Sequence, residues 1–414
     1  MFGARTACGM IDLLYNGILV VLVIVWILAV CRPHKGRVVK FVKKHRVVVA
    51  VLLWAAFLAL LVAFVAKIDY FTEIHDIDDA VEAATSHFLH GGNPYVDEVV
   101  PRFSEKYHPD PEFANGTYNY LPLDLLIYSG ANSALGPIGA PAWFVLVNLV
   151  FSGAALFLFR RVVRTEWMMY VPIAGVVMIF YSYDNASFTL LLMVASIYLW
   201  RMRSERTTYL AVFLLSMATM TKVYAAIPLA VLVLFELQSR LSARDVKRIG
   251  RILLVVAGCA LLALALMLPF GLSNVMDSAV FFHASEQSRE ETSAGGTLLS
   301  EIGMGSPYYG MASALFVVAA IVFSMRMKNL DDRVLLVMSA FLLVVVKSSY
   351  APLTVLGVYL GSRLYDVLHS GPRADNAEIR SSVSAADDES SPSGTDAQSV
   401  LCPVAYIRQS SQSK

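Results

Sequence analysis

Charge is what this sequence has least of. Only 16% of its 414 residues are Asp, Glu, Lys or Arg, while 57% are hydrophobic and the mean hydropathy is +0.61. A soluble domain covers its surface with about 25% charged residues, so water is excluded as the main solvent. A basic excess is missing as well. The formal net charge of +1 leaves phosphate attraction nothing global to act on, and no nucleic-acid partner is expected. Cysteine is scarce: Cys8, Cys31, Cys259 and Cys402 lie far apart, and no pair has the spacing of a zinc site or a redox motif. They read as ordinary apolar or tail residues. No internal repeat of about 20–50 residues is visible, which argues against a solenoid. A cleavable leader is not indicated either, because the first apolar run, 10–30, is longer than a signal-peptide core and is followed by basic residues.

What the chain does have is apolar runs. They cover 10–30, 47–66, 120–136, 142–159, 167–181, 187–200, 208–221, 223–237, 251–270, 308–325, 333–346 and 350–362. Several are shorter than the ~20 residues that cross a ~30 Å hydrocarbon core, so tilted or partial spans are expected. The pattern predicts an all-α integral membrane protein: a multi-pass helical bundle over 1–366, with 67–119 as a large first outer loop. The tail 367–414 is rich in Ser, Ala and Asp, has little apolar periodicity, and reads as disordered.

Arginine and lysine set the orientation. The short linker with Arg32, Lys35, Arg37, Lys40, Lys43, Lys44 and Arg46 is placed in the cytoplasm by the positive-inside bias, which puts 67–119 outside. The clusters Arg160–Arg161–Arg164, Arg201–Arg203–Arg206, Arg240–Arg251 and Arg326–Arg333 would then also be cytoplasmic. One conflict of parity arises. If 120–136 and 142–159 both cross fully, Arg160 to Arg164 fall outside; if one of them is re-entrant, every cluster agrees.

Within the outer loop, Ile77, Val81, Ala84 and Phe88 recur at helical spacing, while Asp76, Asp79, Glu82 and Ser86 fall on the opposite face. The segment is predicted to be an amphipathic helix on the membrane surface, stopped by Gly91-Gly92 and Pro94. Its three aspartates, Asp76, Asp78 and Asp79, have an ordinary explanation, since acids near a helix N-terminus gain ~0.3–1 kcal/mol each from the macrodipole. At a water–lipid boundary they also supply a base where a lipid-linked substrate would react.

Lys222 is the other residue that stands out. The apolar stretch 208–237 would be ~45 Å long as one helix at ~1.5 Å per residue, with Lys222 near its middle. A lysine at mid-bilayer costs ~2.5–3.5 kcal/mol, so a break into two short helices at Lys222 is expected. Two roles remain open for it: snorkelling at an interface, or facing an anionic partner.

The run Asp76…Glu82-Ala83-Ala84…Leu89…Gly92-Asn93-Pro94-Tyr95, followed by Tyr118-Asn119-Tyr120-Leu121-Pro122-Leu123, resembles the opening signature of glycosyltransferase family 87. These are polyprenol-phosphate-mannose-dependent mannosyltransferases of the GT-C superfamily. Looser similarities extend along the chain. Tyr183-Asp184-Asn185-Ala186-Ser187 stands where the family shows Gly-Gln-x-Asn, so only Asn185 matches; Ala218 to Lys222 with Pro228 is similar to an Ala-x-x-x-Lys-x-x-Pro region. His283 and Arg289 ahead of Glu290 resemble a His…Arg…Glu pattern at altered spacing, and Lys347-Ser348-Ser349-Tyr350 a Lys-x-x-Ser-Pro-x-Tyr element. The sequence also departs from the family, with Leu121-Pro122 in place of Pro-Pro and one extra residue between helix and turn.

The resemblance implies a GT-C-like fold and transfer of one sugar, mannose by analogy, from a polyprenyl-phosphate-linked sugar donor to a hydroxyl of a lipid or glycan acceptor outside the cytoplasm. Asp76 would be the general base, with Asp78 and Asp79 as substitutes. Lys222 and Arg289 would hold the phosphate, and Asn93, Tyr95, Tyr118, Tyr120, Asn185, His283 and Lys347 would line the substrate site. No cofactor and no metal is expected. The rival from another class is a multi-pass transporter or lipid flippase, which would place ionisable groups within helices and often show two related halves.

Overall fold

The computed structural model describes residues 16–21, 23–24, 48, 51–52, 54–59, 61, 75–101, 115–164, 166–281, 308–344 and 350–369. These fall in one compact unit, Met1–Leu368, apart from His369, the first residue of a second unit that runs to Lys414. The tail expected to be disordered, and most of the first two apolar runs, lie outside the described residues. The architecture is all-α but for a two-residue antiparallel pair, β1 Val100–Pro101 and β2 Asn115–Gly116, with Val100 opposite Gly116.

The longer helices with fully described limits are α1 His75–Leu89, α2 Pro122–Leu135, α3 Ala142–Val163, α4 Trp167–Phe180, α5 Ala186–Arg201, α6 Glu205–Thr219, α7 Ala226–Ser242, α8 Val246–Met267, α9 Tyr308–Ser324, α10 Leu330–Val344 and α11 Tyr350–His369. Their limits follow the apolar runs closely, because each run ends where a cap or a charged turn begins. Ser204 and Thr207 form a capping box that starts α6, and the Asp245 side chain accepts from Arg248 N to start α8.

Among the described residues three stretches, Ala142–Val163, Val223–Ser242 and Val246–Phe270, are long and apolar enough to cross a membrane; Trp167–Met178, Ala186–Arg201 and Met311–Ser324 are shorter apolar helices. On α8, Leu254 and Leu261 are 72% and 67% exposed with Leu253 beside them. A ridge of bare leucine is stable against lipid and costly against water, at ~25 cal/mol for each Å². The chain thus has the helices of a membrane-associated protein. Its centre is α10 and α11, where nearly every residue from Leu330 to Val344 is buried.

Cross-links between helices define two ends of the bundle. At one end Arg201 closes α5 and binds Asp331 at the start of α10 and Asp366 near the end of α11. Glu205, beginning α6, pairs with Arg248 and Arg251 of α8 at the same end. At the other end the start of α5 meets the start of α3 through Ser187 and Asn148, and Thr189 meets Thr221 at 2.7 Å.

Helix α2 never leaves that second end. Its Asp124 is hydrogen-bonded to Asn185, which caps α5; its Tyr128 reaches Asn148 in the second turn of α3 at 2.5 Å; and only 136–141 separate it from α3. At 14 residues it extends roughly 21 Å, short of a hydrocarbon core.

Helix α1 forms where the periodicity places it, and packs on α2 and on the turn Tyr181–Tyr183. Val81 and Ala84 are buried and Asp79 is exposed, as the spacing predicts; Asp78 is on the buried face. The helix stops in a Schellman turn. Gly91 takes φ +88°, with Gly91 N bonded to Phe88 O and Gly92 N to His87 O, both at 3.0 Å. A side chain at Gly92 would collide with the His87 ring.

Candidate functional site

The second end of the bundle holds a buried polar cluster assembled from three separate parts of the chain. The loop after α1 supplies aromatics. Asn93 folds its own turn, its Oδ1 accepting from Tyr95 N at 3.1 Å and its Nδ2 donating to Phe270 O at 3.1 Å. That tether fixes Tyr95, whose ring lies edge-on to Tyr118 and Phe270 and whose hydroxyl donates to Tyr120 O at 2.7 Å. Tyr118 is held through Tyr118 N to Pro94 O at 2.7 Å. The Pro94-Tyr95 turn and the Tyr118–Tyr120 strand end are therefore one unit.

Into that unit α2 inserts Asp124, fully buried. Its Oδ2 accepts from the Tyr118 hydroxyl and from Asn185 Nδ2, each at 2.6 Å. Among the described residues its other oxygen has no hydrogen-bond partner. Asn185 faces the opposite way with its amide oxygen, which accepts from Lys222 Nζ at 2.5 Å. Lys222 is 12% exposed, sits 3.5 Å from the Tyr120 ring centroid, and lies 3.9 Å from Asp184 Oδ1. The same Asp184 oxygen accepts from Ala186 N at 2.7 Å, which pins the start of α5.

Local sequence explains each position. Two short helices meet at Lys222, which is extended at φ −137°, ψ 126° between the end of α6 and a 3₁₀ turn, as its place in an overlong apolar run predicts. Asp184 and Asn185 fall in the break between α4 and α5, where Asn and Asp stabilise turns through their own side chains. Asp124 belongs to the first turn of α2, which Pro122 begins. Burying two carboxylates and one ammonium is tolerable only because every charge meets an opposite charge or a donor.

Of the residues singled out from sequence, Tyr95, Tyr118, Tyr120, Asn185 and Lys222 come together around Asp124. Asn93 does not join them; it builds the turn that orients Tyr95. Asp79 is exposed on α1, whereas Asp78 is buried on the opposite side of the helix's first turns. Asp76 belongs to the first turn of α1, but its side chain lies outside the described residues, as do His283, Arg289 and Lys347 entirely. Asp124 and Asp184 were missed as site residues. The signal was present, since an acid within an apolar stretch is costly unless it has a function or a partner.

Beside the cluster, His87 Nε2 meets Asp97 Oδ2 at 2.6 Å, and Asn93 N donates to the same oxygen at 3.0 Å. The His87 hydrogen bond first, then the one from Asn93, holds the Asp97 carboxyl below the usual carboxylate range. On α1, burial and the charge of Asp79 push Glu82 up. Among the described residues no group of three His, Cys, Asp or Glu side chains is placed to hold a metal ion.

No family model matches the chain, and no curated protein or solved structure is similar enough to count as a match. What the protein does has to be read from the site.

Proposed function

We propose that the protein is a multi-pass membrane glycosyltransferase of the GT-C type, similar to family 87, which moves one sugar from a polyprenyl phosphate to an acceptor hydroxyl on the outer face of the membrane. One observation carries this reading. Residues singled out for a sugar–phosphate site from three distant segments, Tyr95 with Tyr118 and Tyr120, Asn185, and Lys222, converge at one end of the bundle on a buried lysine.

The short course of α2 supports the orientation. With α2 confined to one end, α3 is the next crossing after the outer loop, and Arg160, Arg161 and Arg164 reach the same side as the other basic clusters. That side is the cytoplasmic one by the positive-inside bias, and the Lys222 cluster faces outward.

The chemistry follows from charge. The acceptor oxygen attacks the anomeric carbon as the bond from that carbon to the phosphate oxygen breaks, so positive charge grows on the sugar ring and negative charge on the departing polyprenyl phosphate. Lys222 stabilises the phosphate, a contribution typically worth ~10²–10³ in rate for one well-placed donor. A carboxylate of α1, Asp76 by its position in the resemblance with the buried Asp78 as its substitute, takes the proton of the attacking hydroxyl, worth ~10²–10⁴; the exposed Asp79 is turned away from the cluster. Asp124 and Asn185 hold Lys222 and Tyr118 in place. Tyr95, packed between Tyr118 and Phe270, fixes Tyr120 through its hydroxyl, and the Tyr120 ring in turn holds Lys222.

The test uses membranes containing the full chain, a radiolabelled polyprenyl-phosphate sugar as donor, and Asp76→Ala, Asp78→Asn and Lys222→Met at equal folded yield. Labelled product formed by the wild type and lost in the variants supports the proposal. A wild type that transfers no sugar from any such donor sinks it.

The rival transporter gains one specific observation: Asp124, Asp184 and Lys222 are charged and buried together, as in many ion pathways. Proteoliposome uptake or scrambling of a labelled polyprenyl phosphate, without bond cleavage, would favour it.

A further inference from the structure

The basic end of the bundle carries a second concave site. A cleft of about 380 Å³ opens where the ends of α3, α5 and α11 meet the start of α10, and its walls include Arg161, Arg164, Arg201, Arg203, Asp331 and Asp366. Four arginines face two carboxylates, so two positive charges are in excess.

The floor is a structural ion-pair network. Arg201 donates through one nitrogen to Asp331 at 3.1 Å, to Asp366 at 2.8 Å and to Ser362 O at 3.1 Å. Ser362 Oγ also donates to Asp331 Oδ2 at 2.9 Å. Among the described residues Arg201 Nε and Asp331 Oδ1 are each buried with no hydrogen-bond partner. The floor thus has an unmet donor and an unmet acceptor, and the excess of positive charge comes from the rim.

The rim is different in kind. Arg161, Arg164 and Arg203 make no ion pair among the described residues. Arg164 instead rests over the Tyr365 ring at 5.8 Å, and Arg161 over Phe157 at 5.0 Å. Ring contacts of this sort leave the guanidinium edge, where the donors are, turned away from the ring face.

Arg164 and Arg203 also occupy the positions just after α3 and α5, at φ 53° and 54°. A positive φ favours glycine, and with ψ −115° Arg164 lies outside the left-handed helical region that asparagine also visits, so an arginine there is strained. An ordinary account exists for arginines at this end: they favour helix C-termini and the cytoplasmic side. It explains their presence, not why they ring a cavity at backbone positions better suited to other residues.

We infer that this cleft binds a phosphate group, carried either by the headgroup of an anionic phospholipid or by a soluble phosphate compound. Guanidinium forks match phosphate oxygens in pairs, and a 380 Å³ space accommodates a headgroup-sized anion. The site is separate from the Lys222 cluster, lies at the opposite end of the helices, and does not depend on sugar transfer.

The experiment uses the full-length protein in nanodiscs and two probes. Thermal unfolding is followed in phosphatidylglycerol against phosphatidylcholine discs, and phosphate binding is followed by titrating inorganic pyrophosphate into phosphatidylcholine discs. The test variant is Arg164→Gly with Arg203→Gly, because glycine adopts positive φ at either position without strain while both charges are removed. The control is Arg206→Gln with Arg326→Gln, basic residues of the same end that do not line the cleft.

We expect the wild type to be stabilised by one probe, with affinity falling about tenfold in the test variant and unchanged in the control. A response to phosphatidylglycerol alone identifies a lipid headgroup; a response to pyrophosphate in neutral discs identifies a soluble ligand. No response to either probe overturns the inference, and so does an equal loss in test and control variants, which would reduce the effect to diffuse charge.

Discussion

The Lys222 ammonium donates to the amide oxygen of Asn185 at 2.5 Å and stands 3.9 Å from Asp184 Oδ1. The amide carries no net charge, so this contact orients the ammonium, and the Tyr120 ring covers it at 3.5 Å.

Lys222→Met keeps most of the side-chain volume and removes the charge. Asp124 and Asp184 then lose the cation nearest to them, and breaking a buried charged network from one side costs about 3–5 kcal/mol. We expect a clear fall in unfolding temperature in detergent and, for the fraction that remains folded, at least ~10²-fold slower sugar transfer. Loss of stability with full activity per folded molecule would restrict Lys222 to a structural role.

Tyr118 and Asp124 make the second testable pair. A hydrogen bond from a neutral hydroxyl to a buried carboxylate contributes about 1.5–3 kcal/mol. A double-mutant cycle of Tyr118→Phe and Asp124→Asn, read by denaturant unfolding, should give a coupling energy above ~1 kcal/mol. Additive single effects would mean that the 2.6 Å contact contributes nothing to stability.

Much of this arrangement was legible in the residues themselves. Helix limits could be read because apolar runs stop at charged turns, and the break at Lys222 because a run of that length with a central lysine has no stable continuous form. The α1 stop was visible in Gly91-Gly92. What pattern could not supply was distance across the chain: nothing near Asp124 announces Asn185, 61 residues on, as the donor to its carboxylate. Asp124 also resembled an ordinary helix N-terminal acid, and only its burial distinguishes it. The course of α2 was likewise open, since a 14-residue apolar helix is compatible with either a tilted crossing or a path across the end. Its contacts with Asn185 and Asn148 tie its first half to the starts of α5 and α3.

The turn that orients Tyr95 should depend on acid. Asp97 has its carboxyl held below the usual range by His87 and then by Asn93 N. A carboxyl lowered in the folded state contributes stability that is complete above its unfolded value and disappears as pH falls through the lowered one. Hydrogen exchange of the Asn93 amide, expressed as protection, should therefore be steady from pH 7 to about 5 and decline as the solution becomes more acidic than the ordinary aspartate range near ~3.9. Asp97→Asn should lower that protection at pH 7 and match the wild type in acid. Equal protection in both proteins at neutral pH would show that Asp97 does not hold the turn.

The aspartates of α1 divide by face. Asp79 is exposed on the outer side of the helix, and Asp78 is 6% exposed on its buried face. A base must reach the hydroxyl it deprotonates, at ~2.6–3.2 Å or through one water, and only a side chain on the inner face can do so from this helix. Asp79→Asn should therefore leave transfer within about twofold of wild type, as surface substitutions away from special features usually shift stability by no more than ~0.5 kcal/mol. Asp78→Asn should reduce turnover by ~10² or more, through lost proton transfer or lost positioning of a neighbouring base. The two roles separate by pH. If Asp78 takes the proton, the acid limb of the wild-type pH–rate profile disappears in Asp78→Asn; if it positions another carboxylate, the limb persists at a lower rate. A variant at Asp79 as damaging as one at Asp78 would mean that the substrate approaches α1 from the solvent side, and the placement of the reaction at the Lys222 cluster would be wrong.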